Sequence, residues 1–209
     1  MPTERLVINK NRMPKTGGDI TKAKILETAE RLFSEKGFDA TSIDAISKSV
    51  GINKATIYYH FKDKNEILIS LFEAILKELN QHLVKGRTTE KSIRDSMKEE
   101  ILYMQGRRKI LSVLMMEALK DNDTNKALFH CAKAVIKNEM DSVLSEKGFD
   151  NPRQEEVYNL YEFFTGFIPV ISFIVFQDKW CDFFGGNKNN VLDDFIDIFY
   201  KTHLSAQLK

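Results

Sequence analysis

One stretch constrains this chain more than any other: residues 41–64, TSIDAISKSVGINKATIYYHFKDK. It reads as two short helices joined by a tight turn and running into a third. Thr41, with Asp44 three residues on, is expected to open the first helix, side chain and backbone satisfying each other's free donors. Ile43, Ala45, Ile46 and Val50 give that helix an apolar side. Gly51 stands where the chain must turn through a left-handed conformation, which costs glycine little. Asn53 is a good N-cap for the second helix. Ile57, with Phe61 just beyond, points inward, while Lys54, Ala55, Tyr58 and Tyr59 lie elsewhere on the surface. A helix-turn-helix with an exposed polar and aromatic second helix can lie in the DNA major groove.

The residue types suit that task. Lys54 can donate to guanine O6/N7, Tyr58 can meet bases or a thymine methyl, Ala55 permits close approach, and Thr56 offers a hydroxyl. Thr41 and Ser42 at a helix start, with Tyr59, His60 and Lys64, suit phosphate contacts, which set register rather than sequence. Lys62 is a weaker candidate. Partial core packing is the alternative for Tyr58, Tyr59 and His60.

Residues 51–64, G-I-N-K-A-T-I-Y-Y-H-F-K-D-K, resemble the signature of tetracycline-repressor-like (TetR/AcrR-type) transcription regulators. The resemblance covers about residues 21–68, including Glu-Lys-Gly-Phe at 35–38. It implies that the positions matching Lys54, Ala55, Thr56 and Tyr58 read bases, while those matching Thr41, Tyr59, His60 and Lys64 hold the backbone. It also implies a homodimer in which the last two helices pair with their copies. The usual sign in that family is repression relieved by a ligand.

Around this stretch the chain reads as all-α. A helix over 21–36 repeats Ile25, Ala29, Leu32 and Phe33 on one stripe and ends at Gly37, with Phe38 folding back. Asp63, with Glu66 reciprocal, caps a helix over about 64–85 that Gly86 breaks. Further helical patterns follow at about 89–105, 107–120, 124–147, 153–183 and 190–206, with no alternating strand and no repeat. The expected organisation is a flexible basic arm at 1–20, a helix-turn-helix DNA-binding domain at 21–66, and a helical ligand-binding and dimerisation domain at 67–209. Residues 153–183 are apolar almost all round, which predicts burial on more than one side, with a kink at Pro169.

Charge supports the division. Residues 1–64 carry 12 Lys/Arg against 8 Asp/Glu, and residues 65–209 carry 19 against 22. A basic head on an acidic body suits a head that meets phosphate. Cys131 and Cys181 make no disulfide framework. The N-terminus lacks an apolar leader, and the apolar run 163–176, broken by Gly166 and Pro169, is short for a membrane span. A cytoplasmic protein with no membrane partner is expected.

The body is expected to hold a small, largely hydrophobic effector between helices, in a mostly apolar pocket. Tyr103, Leu111, Met115, Met116, Phe129, Tyr161, Phe164, Ile168 and Trp180 are the candidates; ordinary core packing is the alternative for each. An enzyme is not expected. His130 and Cys131 are adjacent and face different ways, no phosphate loop or G-x-S-x-G occurs, and Asp121-x-Asp123-x-Asn125 lacks the glycine of a calcium loop. No metal and no cofactor are implied.

Overall fold

The computed structural model describes residues 17–82, 89–120, 126–143, 149 and 151–205. Most of the expected basic arm, Gly86 and the 121–125 segment lie outside the described residues. The described helices are α1 Gly17–Lys36, α2 Ile43–Val50, α3 Lys54–His60, α4 Lys64–His82, α5 Glu90–Gln105, α6 Arg108–Ala118 and α7 Ala127–Val143. They continue with α8 Pro152–Tyr161, α9 Ile168–Phe184 and α10 Val191–Phe199, and π-helical turns follow α8 at Glu162–Phe167 and α10 at Tyr200–Leu204. No strand occurs among the described residues. The first helix starts at Gly17, four residues before the expected 21.

These helices group into two compact units. One is the described part of Met1–Ile75 with Lys109–Cys131; the other is Leu76–Arg108 with the described part of Ala132–Lys209.

In the first unit, α1 turns Ile25, Ala29, Leu32 and Phe33 inward, as their spacing predicts. They form a core with Ile46, Ile57, Phe61 and the α4 residues Ile67, Leu68, Leu71 and Phe72. Burying each large side chain contributes about 1.5–3 kcal/mol. Gly37 ends α1 at φ 86°, a conformation costly for any residue with a Cβ. Phe38 then folds back, its ring 5.0 Å from that of Phe33.

In the second unit, Arg94 pairs with Asp197 and Lys98 with Asp193, joining α5 to α10. Phe173 of α9 stacks on Phe195 of α10 at 4.0 Å and 9°. The expected kink at Pro169 takes another form. A π turn precedes α9, whose first turn holds the proline. Proline cannot donate to the carbonyl four residues back, and a wider turn there accommodates the missing bond.

The predicted burial of residues 153–183 on several sides is not met within one chain. Phe164, Phe176, Trp180, Phe183 and Phe184 are all exposed, Phe183 by 82%, as is Ile198 of α10. Pro152–Phe184 is also one helical run of 33 residues with a window of mean hydropathy 1.5, long and apolar enough to cross a bilayer by length and composition. The broken run 163–176 understated that length, because the helix continues through Gly166 and Pro169.

Candidate nucleic-acid interface

Three local devices set the two ends of α2 and the start of α3. Ser42, not Thr41, caps α2, its Oγ accepting from the Ala45 N–H at 3.0 Å. Gly51 closes α2 at φ 78°, and its N–H donates to the Ser47 carbonyl. Asn53 caps α3, its Oδ1 accepting from Ala55 N at 2.9 Å.

With Ile57 and Phe61 in the core, the rotation of α3 is set. Lys54 and Ala55 are exposed, and Tyr58 and Tyr59 are 51% and 84% exposed. Thr56 and His60 are half-buried, and the His60 ring meets those of Tyr59 and Phe61. Lys54 Nζ lies 3.7 Å from Asp44 and 6.0 Å from the centre of the Tyr58 ring. Asp44 also faces Lys48 at 3.5 Å. Such exposed pairs contribute little, so Lys54 can exchange Asp44 for an acceptor on a ligand. The outer surface of α3 thus offers a cation, a methyl group and two phenols side by side.

Two predicted phosphate ligands are placed differently. Thr41 is fully buried, and its hydroxyl donates to the carbonyls of Gly37 at 2.8 Å and Leu32 at 3.2 Å. Lys64 Nζ donates to the carbonyls of Phe38 at 2.7 Å and Thr41 at 3.0 Å, and sits 4.2 Å from the Phe38 ring centre. Burial lowers its pKa, opposed by the nearby Asp39 and Glu117 carboxylates. Lys64 therefore straps the α1–α2 loop to the start of α4, and the Thr41 hydroxyl ties that loop to the end of α1. Ser42 stays exposed at the helix start.

Asp63 caps α4 as expected, accepting from Glu66 N at 2.9 Å, but the Glu66 carboxylate reaches past it to the N–H of Lys62. A further link has no local signal. Lys120 bridges Asp39 and Glu117 across 81 residues of chain. That hydrogen bond holds the Asp39 carboxyl below its ordinary range, and the two carboxylates raise the Lys120 pKa.

The nine effector candidates are divided between the two units. Leu111, Met115, Met116 and Phe129 belong to the first unit, and Tyr103, Tyr161, Phe164, Ile168 and Trp180 to the second. Leu111 is core, whereas Met116, Phe129, Phe164 and Trp180 are exposed. Met115 and Ile168 are half-buried, as are Tyr103 and Tyr161, whose hydroxyls donate to Glu78 and to the His203 carbonyl. A cavity of about 550 Å³ lies in the second unit between α5, α9 and α10, and none of the nine lines it. Periodicity marks the apolar face of a helix but does not say which face borders a hollow. Among the described residues no group of His, Cys, Asp and Glu could hold a metal.

Residues 25–71 match the family described as bacterial regulatory proteins, tetR family. A 46-residue segment is 59% identical to the biofilm operon icaADBC HTH-type negative transcriptional regulator IcaR of Staphylococcus epidermidis, covering 22% of this chain and 25% of that protein. IcaR of Staphylococcus aureus strain Newman is 42% identical over 66 residues, 32% of this chain and 36% of that protein. The matches to these curated relatives thus span only about a quarter to a third of their length. The fold is similar over nearly the whole chain to a tetR-family transcriptional regulator from Streptomyces coelicolor, with TM-score 0.59, 17% identity and coverage of 92% of this chain and 83% of that one. It is similar also to NalD, the secondary repressor of the MexAB-OprM multidrug efflux pump in Pseudomonas aeruginosa, with TM-score 0.59, 16% identity and coverage of 88% and 96%.

Proposed function

We propose that this chain, a tetR-type regulator, is a DNA-binding transcriptional repressor that acts as a homodimer and is released from a near-palindromic operator by a small, largely hydrophobic effector. The observation that carries the reading is the outer surface of α3. Ile57 and Phe61 anchor the helix, so Lys54, Ala55, Tyr58 and Tyr59 all face outward from it. Lys54, Ala55, Thr56 and Tyr58 read base edges, while Ser42, Tyr59 and His60 touch phosphates. The relatives matched over this region are named negative regulators, which supports repression as the sign.

Residues 21–66 form the DNA-binding domain and 67–209 the regulatory one. The exposed aromatic face of α9 and the outer side of α10 pack on a second copy, which favours dimerisation by removing that apolar area from water. Two α3 helices then enter successive major grooves. An effector that fits one arrangement of the body shifts the population toward it and lowers operator affinity. The protein works in the cytoplasm, where its operator lies.

The test is selection of bound fragments from random DNA, followed by titration of the selected sequence against a scrambled one at several salt concentrations. Selection of a two-fold-related site, bound at least about a thousandfold more tightly than the scramble and with a steep negative salt slope, is expected. Equal binding to both sequences would remove the basis for the reading.

A further inference from the structure

Asp44 is the one acidic side chain in α2 and α3. It stands in the first turn of α2, where an acid complements the positive end of the helix dipole. Its two oxygens face two different cations. Oδ2 lies 3.5 Å from Lys48 Nζ, four residues on in the same helix, an ordinary neighbour on a helix surface. Oδ1 lies 3.7 Å from Lys54 Nζ, across the turn at the head of α3. This second pair joins the supporting helix to the reading one, at the side chain proposed above to meet guanine.

Geometry gives the pair a use. Lys54 has a long flexible stem and is half-exposed, so packing alone does not fix where its ammonium points. The Nζ is held between the Asp44 carboxylate at 3.7 Å and the Tyr58 ring centre at 6.0 Å. An ammonium carries three hydrogens, so Lys54 can meet a base acceptor without leaving Asp44. The pair is weak in open water and strengthens once DNA displaces the water around it. A side chain aimed in advance gives up less freedom on binding.

Charge gives it a second use. A lone lysine attracts every phosphate, whatever the sequence. A carboxylate beside Lys54 offsets that long-range attraction and leaves the short-range hydrogen bonds to a base edge, which alone carry sequence. Lys48 keeps the second carboxylate oxygen paired throughout.

We propose that Asp44 is a positioning and specificity-determining residue: it aims the Lys54 ammonium at the base edge and withholds its charge from phosphates. Asp44 acts through Lys54 and touches neither base nor phosphate itself. The inference rests on the DNA-reading role of α3 given above.

The test is anisotropy titration of full-length Asp44→Asn against the selected operator and its scramble at several salt concentrations. The amide keeps the size of the side chain and removes its charge. The scramble is expected to bind about three- to tenfold more tightly, with a salt slope steeper by about 1. The operator gains less, so the ratio of the two affinities falls at least about threefold. In a Lys54→Ala background the same substitution leaves the ratio unchanged, because its effect runs through that lysine. Should Asp44→Asn fail to fold, Asp44→Ser is read in the same way. Equal gains on both DNAs, or a ratio that does not move whatever happens to the melting temperature, overturn the proposal. So does an equal fall of the ratio with and without Lys54. A wild-type protein that binds operator and scramble alike refutes the DNA reading itself, whereas a wild-type preference that Asp44→Asn leaves intact refutes only the role of Asp44.

Discussion

His203 Nε2 lies 3.3 Å from Glu162 Oε2, and both residues are buried. Each sits in a π-helical turn. Thr165 Oγ1 donates to the Tyr161 carbonyl at 2.7 Å, so toward His203 Nδ1, 2.9 Å away, it must accept. Nδ1 therefore carries a hydrogen, a tautomer assigned from the network. Nε2 then faces the Glu162 carboxyl group. The Tyr161 ring stacks on the imidazole at 4.9 Å.

The pair predicts an asymmetry between two variants. Glu162→Gln keeps a donor opposite Nε2 and is expected to cost less than about 1.5 kcal/mol. His203→Ala strips the partner from a buried acid together with the stacked rings, and is expected to cost about 3–5 kcal/mol. Gly166→Ala adds a Cβ 2.9 Å from Nε2 and 3.0 Å from Glu162 Oε2, an overpacking expected to cost about 1–3 kcal/mol. Urea denaturation midpoints check all three, and equal losses for Glu162→Gln and His203→Ala would contradict this asymmetry.

At the DNA-facing surface, Tyr58→Ala and Lys54→Ala remove exposed side chains and are predicted to leave stability within about 0.5 kcal/mol. Each lowers affinity for the selected operator by about 1–3 kcal/mol. Thr41→Val behaves in the opposite way. It removes the one buried hydroxyl hydrogen that the Leu32 and Gly37 carbonyls share, so stability falls by about 1–2 kcal/mol. Thermal melts alongside anisotropy titrations separate the two outcomes.

The Asp39–Lys120 link gives an acid-side signature. The folded carboxyl is held below its ordinary value of 3.8, mainly by the hydrogen bond from Lys120. A depressed carboxylate contributes stability above its unfolded pKa and loses it as pH falls through the folded one. Asp39→Asn is therefore expected to flatten the fall in melting temperature below about pH 4, and Lys120→Ala to do likewise. Wild-type and variant melting curves from pH 7 to pH 2.5 supply the measurement, and superimposable acid limbs would argue against the link.

Cys131 is predicted to be inert in the folded protein. Burial, helped by the Glu73 charge, pushes its thiol up to about 12. A thiol that weak is almost wholly protonated at pH 8, and the thiolate is the nucleophile. Native protein treated with a disulfide reagent at pH 8 should leave Cys131 unmodified, and denatured protein should label it at once. Peptide mapping identifies the residue.

Phe183→Asp and Ile198→Asp test the proposed pairing of subunits. Both side chains are exposed in the single chain, so neither change should cost the fold more than about 0.5 kcal/mol. The expected outcome is a monomer in light scattering, with operator affinity reduced because two linked readers become one. A dimer that survives both substitutions would place the interface elsewhere.

Much of the head could be read residue by residue. Asn53 and Gly51 announce the start of α3 and the end of α2, and Ile57 with Phe61 settles which way α3 turns. The stripe of α1 is equally explicit. These signals work because caps and helical periodicity depend on neighbours within a few residues. The partners of Thr41 and Lys64 had no such signal: the Thr41 hydroxyl meets carbonyls of α1 and the loop after it, and Lys64 meets loop carbonyls 23 and 26 residues away in the chain. The Lys120–Asp39 bridge, the His203–Glu162 pair and the Gln105–Gln177 hydrogen bond span 81, 41 and 72 residues. Spacing along one helix orients a side chain about that helix's own axis. Which polar group it then meets depends on how separate helices pack, and only the tertiary structure decided that.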